Sequence, residues 1–150
     1  MRRKMKRIIY LSLLFVLVIC TLTVFLGCQF FDNNTVDKNG RWEDAIYRKN
    51  MEFGEGSKTV NVEIKVEEQS VTFTFHTDKE LLGDVLIEHG IVEGEPAEFG
   101  LYVKKVNGML ADYDVDQTYW ALYKNGAYSM TGVDTTVIAD GEHYEFVLEG

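Results

Sequence analysis

Two runs of alternating apolar and polar residues, between residues 59 and 76, most constrain how this chain can fold. Successive side chains of a strand point to opposite faces of a sheet, so a period of two predicts a strand with one buried face. Only a few residues, around Glu68-Gln69, separate the two runs, which predicts an antiparallel hairpin. The apolar residues of the runs are Val60, Val62, Ile64 and Val66, followed by Val71, Phe73 and Phe75.

A helix is predicted directly after this hairpin, because both of its ends carry sequence signals. Thr77 fits the N-cap and Glu80 the third helical position of a capping box, and Gly90 fits the stop after the last turn. Gly83 costs about 1 kcal/mol relative to alanine in a helix interior, and we expect close approach of the helix to the sheet to compensate. The predicted inner face of the helix consists of Leu81, Leu82, Val85, Leu86 and His89.

Further strands are predicted after the helix. Two Asn-Gly pairs, Asn107-Gly108 and Asn125-Gly126, favour tight hairpin turns because both turn residues adopt positive φ. The predicted strands beside these turns are 101–106 and 109–110, and 119–124 and 127–130.

The last part of the chain decides between fold classes. Asp140-Gly141 leads into a final strand, and residues 132–138 are too few for the second full helix that a ferredoxin-like fold needs. The order of elements therefore predicts an α+β domain at residues 59–150, a β-grasp (ubiquitin-like) mixed sheet with one main helix.

The N-terminal residues have a different composition. Five basic residues among the first seven precede an apolar run at 8–26, which is the layout of a secretory signal. That run is also long enough to span a bilayer, so a retained membrane anchor stays open as an alternative. The segment Phe25-Leu26-Gly27-Cys28, at the end of this apolar run and directly after it, resembles the lipobox of bacterial lipoproteins, in which the cysteine is lipidated. The resemblance implies a lipoprotein signal segment at 1–27, lipidation at Cys28, and a lipid-anchored location on the extracytoplasmic face of the bacterial membrane.

Residues 28–58 are predicted to be a partly ordered tether. They lack a sustained period and contain several Asn, Asp and Gly. Trp42 and Tyr47 are unusual in a linker, and residues 42–47 fit a short helical turn that packs along the domain.

Charge and cysteine content exclude several functions. From Cys28 onward, 10 Lys and Arg oppose 24 Asp and Glu, a net charge of −14, which argues against nucleic acid as a partner. Because no cysteine follows Cys28, the domain has no disulfide, zinc–thiolate site or cysteine nucleophile. Motifs such as G-x-S-x-G and H-E-x-x-H are also missing, so we expect a protein that is not an enzyme.

An acidic triplet, Asp112, Asp114 and Asp116, is spaced like the first three ligands of a calcium loop. The sequence then departs from that loop, with Gln117 in place of the glycine and Tyr123 in place of the bidentate glutamate. The triplet is therefore either a weak divalent-cation site or a solvated turn.

Aromatic residues gather around the second Asn-Gly turn. They either fill one face of the sheet or form a platform for a flat ligand or partner. Strand geometry places Tyr119 and Tyr123 on one face and Trp120 on the other, and we favour Trp120 as the exposed contact residue. The predicted ligand-binding residues are Tyr119, Trp120, Tyr123, Asn125 and Tyr128.

Residues 59–148 resemble the C-terminal domain of the cobalamin carriers transcobalamin and intrinsic factor, in the version found in bacterial secreted lipoproteins. The marks that carry the resemblance are Tyr119-Trp120, Asn125-Gly126, Gly132-Val133 and Asp140-Gly141. The resemblance implies a binding module that presents a small ligand to a membrane importer. Cobalamin or another corrinoid is one candidate ligand, although the large helical domain of the carriers has no counterpart here. The alternatives are a cell-surface module that recognises protein or glycan, and a weak divalent-cation-binding protein.

Overall fold

The computed structural model describes residues 39–98 and 100–150, in which nine strands form two sheets. The predicted signal segment, Cys28 and the first part of the tether lie outside these residues. The strands are β1 (Met51–Phe53), β2 (Lys58–Val66), β3 (Gln69–Thr77), β4 (Val92–Ala97), β5 (Gly100–Val106), β6 (Met109–Leu110), β7 (Tyr119–Lys124), β8 (Ala127–Tyr128) and β9 (His143–Glu149). The helices are a 3₁₀ helix (Asn39–Glu43), α1 (Leu82–Glu88) and α2 (Tyr113–Asp116).

The predicted first hairpin is confirmed. β2 and β3 pair antiparallel over their whole lengths, with Val60 opposite Phe75 and Ile64 opposite Val71. All seven apolar residues of the two alternations are buried, and Glu67 at the turn has a positive φ of 52°. The alternation of the sequence thus becomes the inner face of the sheet.

The larger sheet is mixed, with the strand order β1-β3-β2-β9-β7-β8. β9 runs parallel to β2 and antiparallel to β7, so the last strand lies in the middle of the sheet. The smaller antiparallel sheet has the order β4-β5-β6. The structure is therefore α+β and mostly strand, as predicted, while the β-grasp assignment stays a prediction.

One core joins both sheets and α1. Phe73, Tyr144 and Phe146 of the larger sheet are fully buried, and Val106 and Met109 of the smaller sheet belong to the same cluster. Burying an aromatic or branched aliphatic side chain contributes about 1.5–3 kcal/mol, so these contacts hold the two sheets together.

The predicted start of the helix is wrong. Thr77 is the last residue of β3, and α1 begins only at Leu82, with no side-chain cap. The amide groups of Leu82 and Gly83 donate instead to the carbonyls of Thr136 and Val133, at 2.9 and 2.8 Å. A loop distant in sequence therefore caps the helix, which makes the capping box at Thr77 and Glu80 unnecessary.

Gly83 does allow a close approach, but not to the sheet. A Cβ atom at this position would lie 3.1 Å from backbone atoms of Val133 and Asp134. The neighbour that requires the glycine is thus the loop that caps the helix.

Three short elements differ from the sequence prediction. β4 was not predicted, because Glu93, Glu95 and Pro96 leave it without an apolar alternation, and it lies at the edge of its sheet. α2 forms where only a turn was expected, and β8 covers two residues of the predicted 127–130.

Part of the predicted tether packs on the domain. Trp42 and Ala45 are buried in the common core, and β1 pairs in parallel with β3. A 3₁₀ helix at Asn39–Glu43 overlaps only the start of the helical turn predicted at 42–47. None of the helices in the described ranges is long and apolar enough to cross a membrane.

Candidate functional site

An open cleft of about 350 Å³ lies where β5 of the smaller sheet faces β7 of the larger one. We call it the aromatic cleft. Residues 128–133, which continue from β8, form its third side. Its lining residues are Leu101, Tyr102, Val103, Tyr119, Trp120, Leu122, Tyr128, Ser129, Met130, Thr131, Gly132, Val133 and Phe146.

The inner wall of the cleft is part of the core. Trp120 is only 7% exposed, and its indole Nε1 donates to the carbonyl of Met109 at 3.2 Å. Leu122 and Phe146 are buried beside it. The prediction that Trp120 is the exposed residue of β7 is therefore wrong, because its strand position turns it toward the smaller sheet.

The outer rim of the cleft is exposed and apolar. Tyr102 is 40% exposed, Tyr128 is 55% exposed and Met130 is 91% exposed. Tyr102 and Met130 were not predicted as site residues, because Tyr102 belongs to the other sheet and Met130 lies in the loop after β8, which the sequence assigned to a strand. A single exposed apolar residue is common, but three around one cleft suit a ligand with an apolar body.

Tyr119 and Tyr123 lie on the other face of β7, as the alternation predicts. Both phenols donate to one carboxylate, that of Glu149 on β9, with O–O distances of 2.7 and 2.6 Å. These hydrogen bonds raise the pKa of Tyr119 to about 12 and also raise the pKa of Tyr123. Both side chains therefore stay neutral across the physiological range.

Two exposed tyrosines extend this arrangement at either end. Tyr128 lies edge-on to Tyr123, with ring centroids 5.5 Å apart, and Tyr113 of α2 lies edge-on to Tyr119 at 6.4 Å. We call these four residues the tyrosine row. It adjoins the aromatic cleft, because Tyr119 and Tyr128 belong to both.

Asn125 has a local structural role. It has a φ of 50° in the turn between β7 and β8, and Gly126 follows with a φ of 80°, as the Asn-Gly pair predicts. The side-chain oxygen of Asn125 accepts a hydrogen bond from the amide of His143 at 3.1 Å. Asn125 does not line the aromatic cleft.

The acidic triplet is engaged in contacts within the protein. Asp112 is the N-cap of α2 and also forms an ion pair with Lys104 at 3.4 Å. Asp116 pairs with Arg41 and accepts from the amide of Thr118. Partial burial raises the pKa of Asp116, but the hydrogen bonds from Thr118 and Arg41 outweigh burial and hold the pKa below its usual value. Protein groups therefore satisfy the carboxylates of Asp112 and Asp116, and neither needs a bound metal ion.

A different group brings metal-ligand atoms together. Side-chain atoms of Glu63, His143 and Glu145, on the solvent-facing side of β2 and β9, all lie within 4.8 Å of one another. The ammonium of Lys65 lies between the two carboxylates of this group: it pairs with Glu145 and is 3.3 Å from the carboxylate of Glu63. The hydrogen bond to Glu145 raises the pKa of Lys65 despite partial burial. This group was not predicted from the sequence, because Glu63 is distant in sequence from His143 and Glu145 and only the β2–β9 pairing aligns them.

Residues 79–149 match the family described as "Domain of unknown function (DUF4430)". A crystal structure of a "putative metal binding protein" from Ruminococcus gnavus ATCC 29149 is 33% identical, with a TM-score of 0.59. The match covers 62% of this chain and 97% of that one.

Haptocorrin in complex with Cbi is similar at the level of the fold. The TM-score is 0.50 at 22% identity, over 65% of this chain and 26% of haptocorrin, so this chain spans about a quarter of that protein. No curated protein matches the chain. Given the identity over nearly all of the Ruminococcus gnavus protein and the matched domain, the chain belongs to the DUF4430 family.

Proposed function

We propose that this protein is a lipid-anchored, extracytoplasmic binding module that holds a small ligand with an apolar body in the aromatic cleft. The observation that carries the proposal is the contrast between the two sides of the cleft. Its inner wall, with Trp120 and Phe146, is fixed in the core, while Tyr128 and Met130 on the rim are exposed. A rigid wall beside adaptable apolar contacts is typical of ligand sites that are formed before the ligand binds.

A β-grasp scaffold is part of this proposal. β2, the first strand of the N-terminal hairpin, pairs in parallel with the last strand, and α1 buries Leu82, Val85 and Leu86 against the same core. This arrangement supports the β-grasp interpretation. In such a scaffold the cleft lies against β7 and β9 of the larger sheet and β5 of the smaller one.

A corrinoid is the candidate ligand that we favour. Haptocorrin, which shares the fold, was crystallised with Cbi, a cobalamin analogue. At about 350 Å³ the cleft is near the lower end of the usual range for ligand sites, so it would hold one edge of a corrinoid and leave the rest accessible. Partial enclosure suits a module that passes its ligand to a membrane importer.

The proposal is tested by titrating the full chain, in a neutral detergent, with cobinamide and cyanocobalamin and following the corrinoid absorbance. We expect a saturable spectral change in the unaltered protein and a loss of affinity of about tenfold in Tyr128→Ala, the usual effect of truncating an important contact. Ile87→Ala is the control, because Ile87 is an apolar residue that is 53% exposed on α1 and does not line the cleft. No spectral change, or equal losses in both variants, would contradict corrinoid binding at this site.

Anchoring through Cys28 needs a separate experiment. Stable membrane attachment requires more than one acyl chain, which a lipidated N-terminal cysteine carries in bacterial lipoproteins. We expect Cys28→Ala to abolish fatty-acid labelling and to leave the protein unprocessed or released into the medium. Cys20→Ala is the control and should leave labelling unchanged. Labelling that persists in Cys28→Ala would rule out lipidation there.

Binding of a divalent cation by Glu63, His143 and Glu145 is a second candidate function. Their ligand atoms lie within 4.8 Å of one another, and the Ruminococcus gnavus relative is described as a "putative metal binding protein". Carboxylates with one imidazole suit Zn²⁺, but the ammonium of Lys65 competes for the same oxygen atoms.

Calorimetric titration with Zn²⁺ tests this second function. We expect binding to be lost in His143→Ala and strengthened in Lys65→Met, which removes the competing charge. His76→Ala is the control, since His76 pairs with Glu52 elsewhere on the sheet. Equal Zn²⁺ affinity in the two histidine variants would exclude this group as the site.

A further inference from the structure

The tyrosine row surrounds one fixed negative charge. Tyr119 and Tyr123 both donate to Glu149, one phenol to each carboxylate oxygen, at 2.7 and 2.6 Å. Hydrogen bonds donated by two phenols stabilise the charged form of a carboxylate. The negative charge is therefore held in a set position among the aromatic rings.

Sheet register places Glu149 and three of the four tyrosines, and the fourth, Tyr113, lies on α2. Tyr119 is directly opposite Glu149 across the β7–β9 pair, and Tyr123 is directly opposite Tyr128 across the β7–β8 pair. Side chains directly opposite in a sheet have Cβ atoms only about 5 Å apart. The rings and the carboxylate are thus organised before any ligand arrives.

The ring geometry creates corners that open to solvent. The planes of Tyr123 and Tyr128 are at 87° to each other, and those of Tyr113 and Tyr119 are at 63°. The outer members, Tyr113 and Tyr128, are both more than half exposed. Perpendicular rings present a π-face and an edge to the same space, and a cation is attracted to the π-face.

We propose that the tyrosine row and Glu149 together bind the methylated ammonium group of a small organic cation. This inference deepens the proposed binding function, on which it rests, because Tyr119 and Tyr128 also line the aromatic cleft. A methylated ammonium fits better than a lysine ammonium, since a lysine ammonium is strongly hydrated and a half-exposed site cannot replace that hydration. The net charge of −14 from Cys28 onward also raises the local concentration of cations.

The test compares choline with 3,3-dimethylbutan-1-ol, a neutral molecule of the same shape. The full chain, labelled with ¹³C at the tyrosine rings and kept in a neutral detergent, is titrated with each compound and followed by NMR. We expect choline to shift the ring signals of the row in a saturable way and the alcohol to shift them much less. Equal shifts with both compounds would show apolar contact alone and would overturn the proposal, as would no shift with either compound.

Variants separate the charge from the rings. We expect Glu149→Gln and Tyr113→Leu each to weaken choline binding about two- to fivefold, the effect of one exposed ion pair or one cation–π contact. Glu93→Gln is the matched loss of charge at an exposed site, and it should leave choline binding unchanged. The proposal is wrong if Glu93→Gln weakens binding as much as Glu149→Gln does, because net charge alone would then explain the affinity.

A pair of variants at Tyr128 distinguishes loss of the aromatic ring from loss of folding as the cause of weaker choline binding. Tyr128→Phe should bind choline more tightly than Tyr128→Leu, with equal melting temperatures for the two variants. Equal binding by these two variants would exclude a contact with the Tyr128 ring and would contradict the proposal. Choline binding without corrinoid binding would support this inference and contradict the corrinoid proposal. Corrinoid binding without choline binding would support the corrinoid proposal and overturn this inference.

Discussion

At the scale of single residues, neighbouring side chains of β7 lie on opposite faces of the sheet and have different roles. Trp120 faces inward, where it contacts the smaller sheet through the Met109 carbonyl, while Tyr119 faces the opposite side and reaches Glu149. The candidate site therefore has a fixed apolar wall on one side of β7 and a polar aromatic row on the other. Substitutions on the two faces should affect different properties.

Trp120→Ala should lower the free energy of unfolding by about 3–5 kcal/mol, because truncating a buried aromatic side chain leaves a cavity. Denaturation by urea measures the change. Tyr128→Ala, at an exposed position, is the control and should cost less than about 1 kcal/mol. A loss below about 1 kcal/mol for Trp120→Ala would show that the indole is not part of the core.

Tyr119 should titrate late at high pH. Its folded-state pKa is about 12, above the ordinary value of 10.0, because the phenol donates to Glu149. The hydrogen bond therefore contributes stability that is fully present below pH 10 and is lost as pH rises from about 10 to about 12.

An alkaline titration followed by ultraviolet absorbance checks this pKa. Glu149→Gln should move the titration of Tyr119 toward its ordinary value, and the control Glu93→Gln should leave the curve unchanged. Identical curves for the unaltered protein and Glu149→Gln would contradict the hydrogen-bonded arrangement.

At the scale of elements, α1 depends on a partner distant in the chain. The loop at residues 132–138 caps the helix through backbone carbonyls and forms an isolated bridge between Leu81 and Val137. The same loop lies against Gly83, and its first residues line the aromatic cleft. Helix, loop and cleft are therefore coupled, and a change at the helix start should reach the site.

Gly83→Ala should lower the free energy of unfolding by about 1 kcal/mol or more, although alanine is the better helix former. The added Cβ would lie 3.1 Å from backbone atoms of Val133 and Asp134, so the loop must move to admit it. Thermal unfolding measures the effect, and Asp84→Ala, at an exposed position of α1, is the comparison. If Gly83→Ala raises the free energy of unfolding, the loop at residues 132–138 can move to admit the methyl group without loss of stability, and the prediction is wrong.

At the scale of the whole molecule, the N-terminal segment and the smaller sheet complete a core that the larger sheet could not close alone. Trp42 and Ala45 precede the first long strand and are buried with residues from both sheets. Arg41 also reaches Asp116 and Thr118, near the start of β7. The described part of the N-terminal segment, from residue 39 onward, therefore contributes stability.

A chain beginning at residue 59 should consequently be less stable than one beginning at residue 39. The shorter chain lacks Trp42 and β1, and loss of one buried tryptophan alone costs about 3–5 kcal/mol. Comparison of the two chains by urea denaturation and by near-ultraviolet circular dichroism measures the difference. Equal unfolding midpoints would show that the N-terminal segment only rests on the surface.

The local elements of this protein are largely determined by its sequence. The period-two runs specify β2 and β3, and the Asn-Gly pairs specify turns at Asn107 and Asn125, where φ is positive as expected. These features depend on strand geometry and turn conformation, which are local properties of the backbone. The mixed α+β class follows from the order of such elements.

Tertiary structure alone decided the contacts between distant elements. The parallel pairing of β2 with β9 brings Glu63 beside His143, the loop after β8 replaces a side-chain cap on α1, and the smaller sheet covers Trp120. The period of β7 predicts that Trp120 and Tyr119 face opposite ways, but not which face is covered. That choice depends on where the rest of the chain buries its apolar surface, a property of the complete core rather than of any single strand.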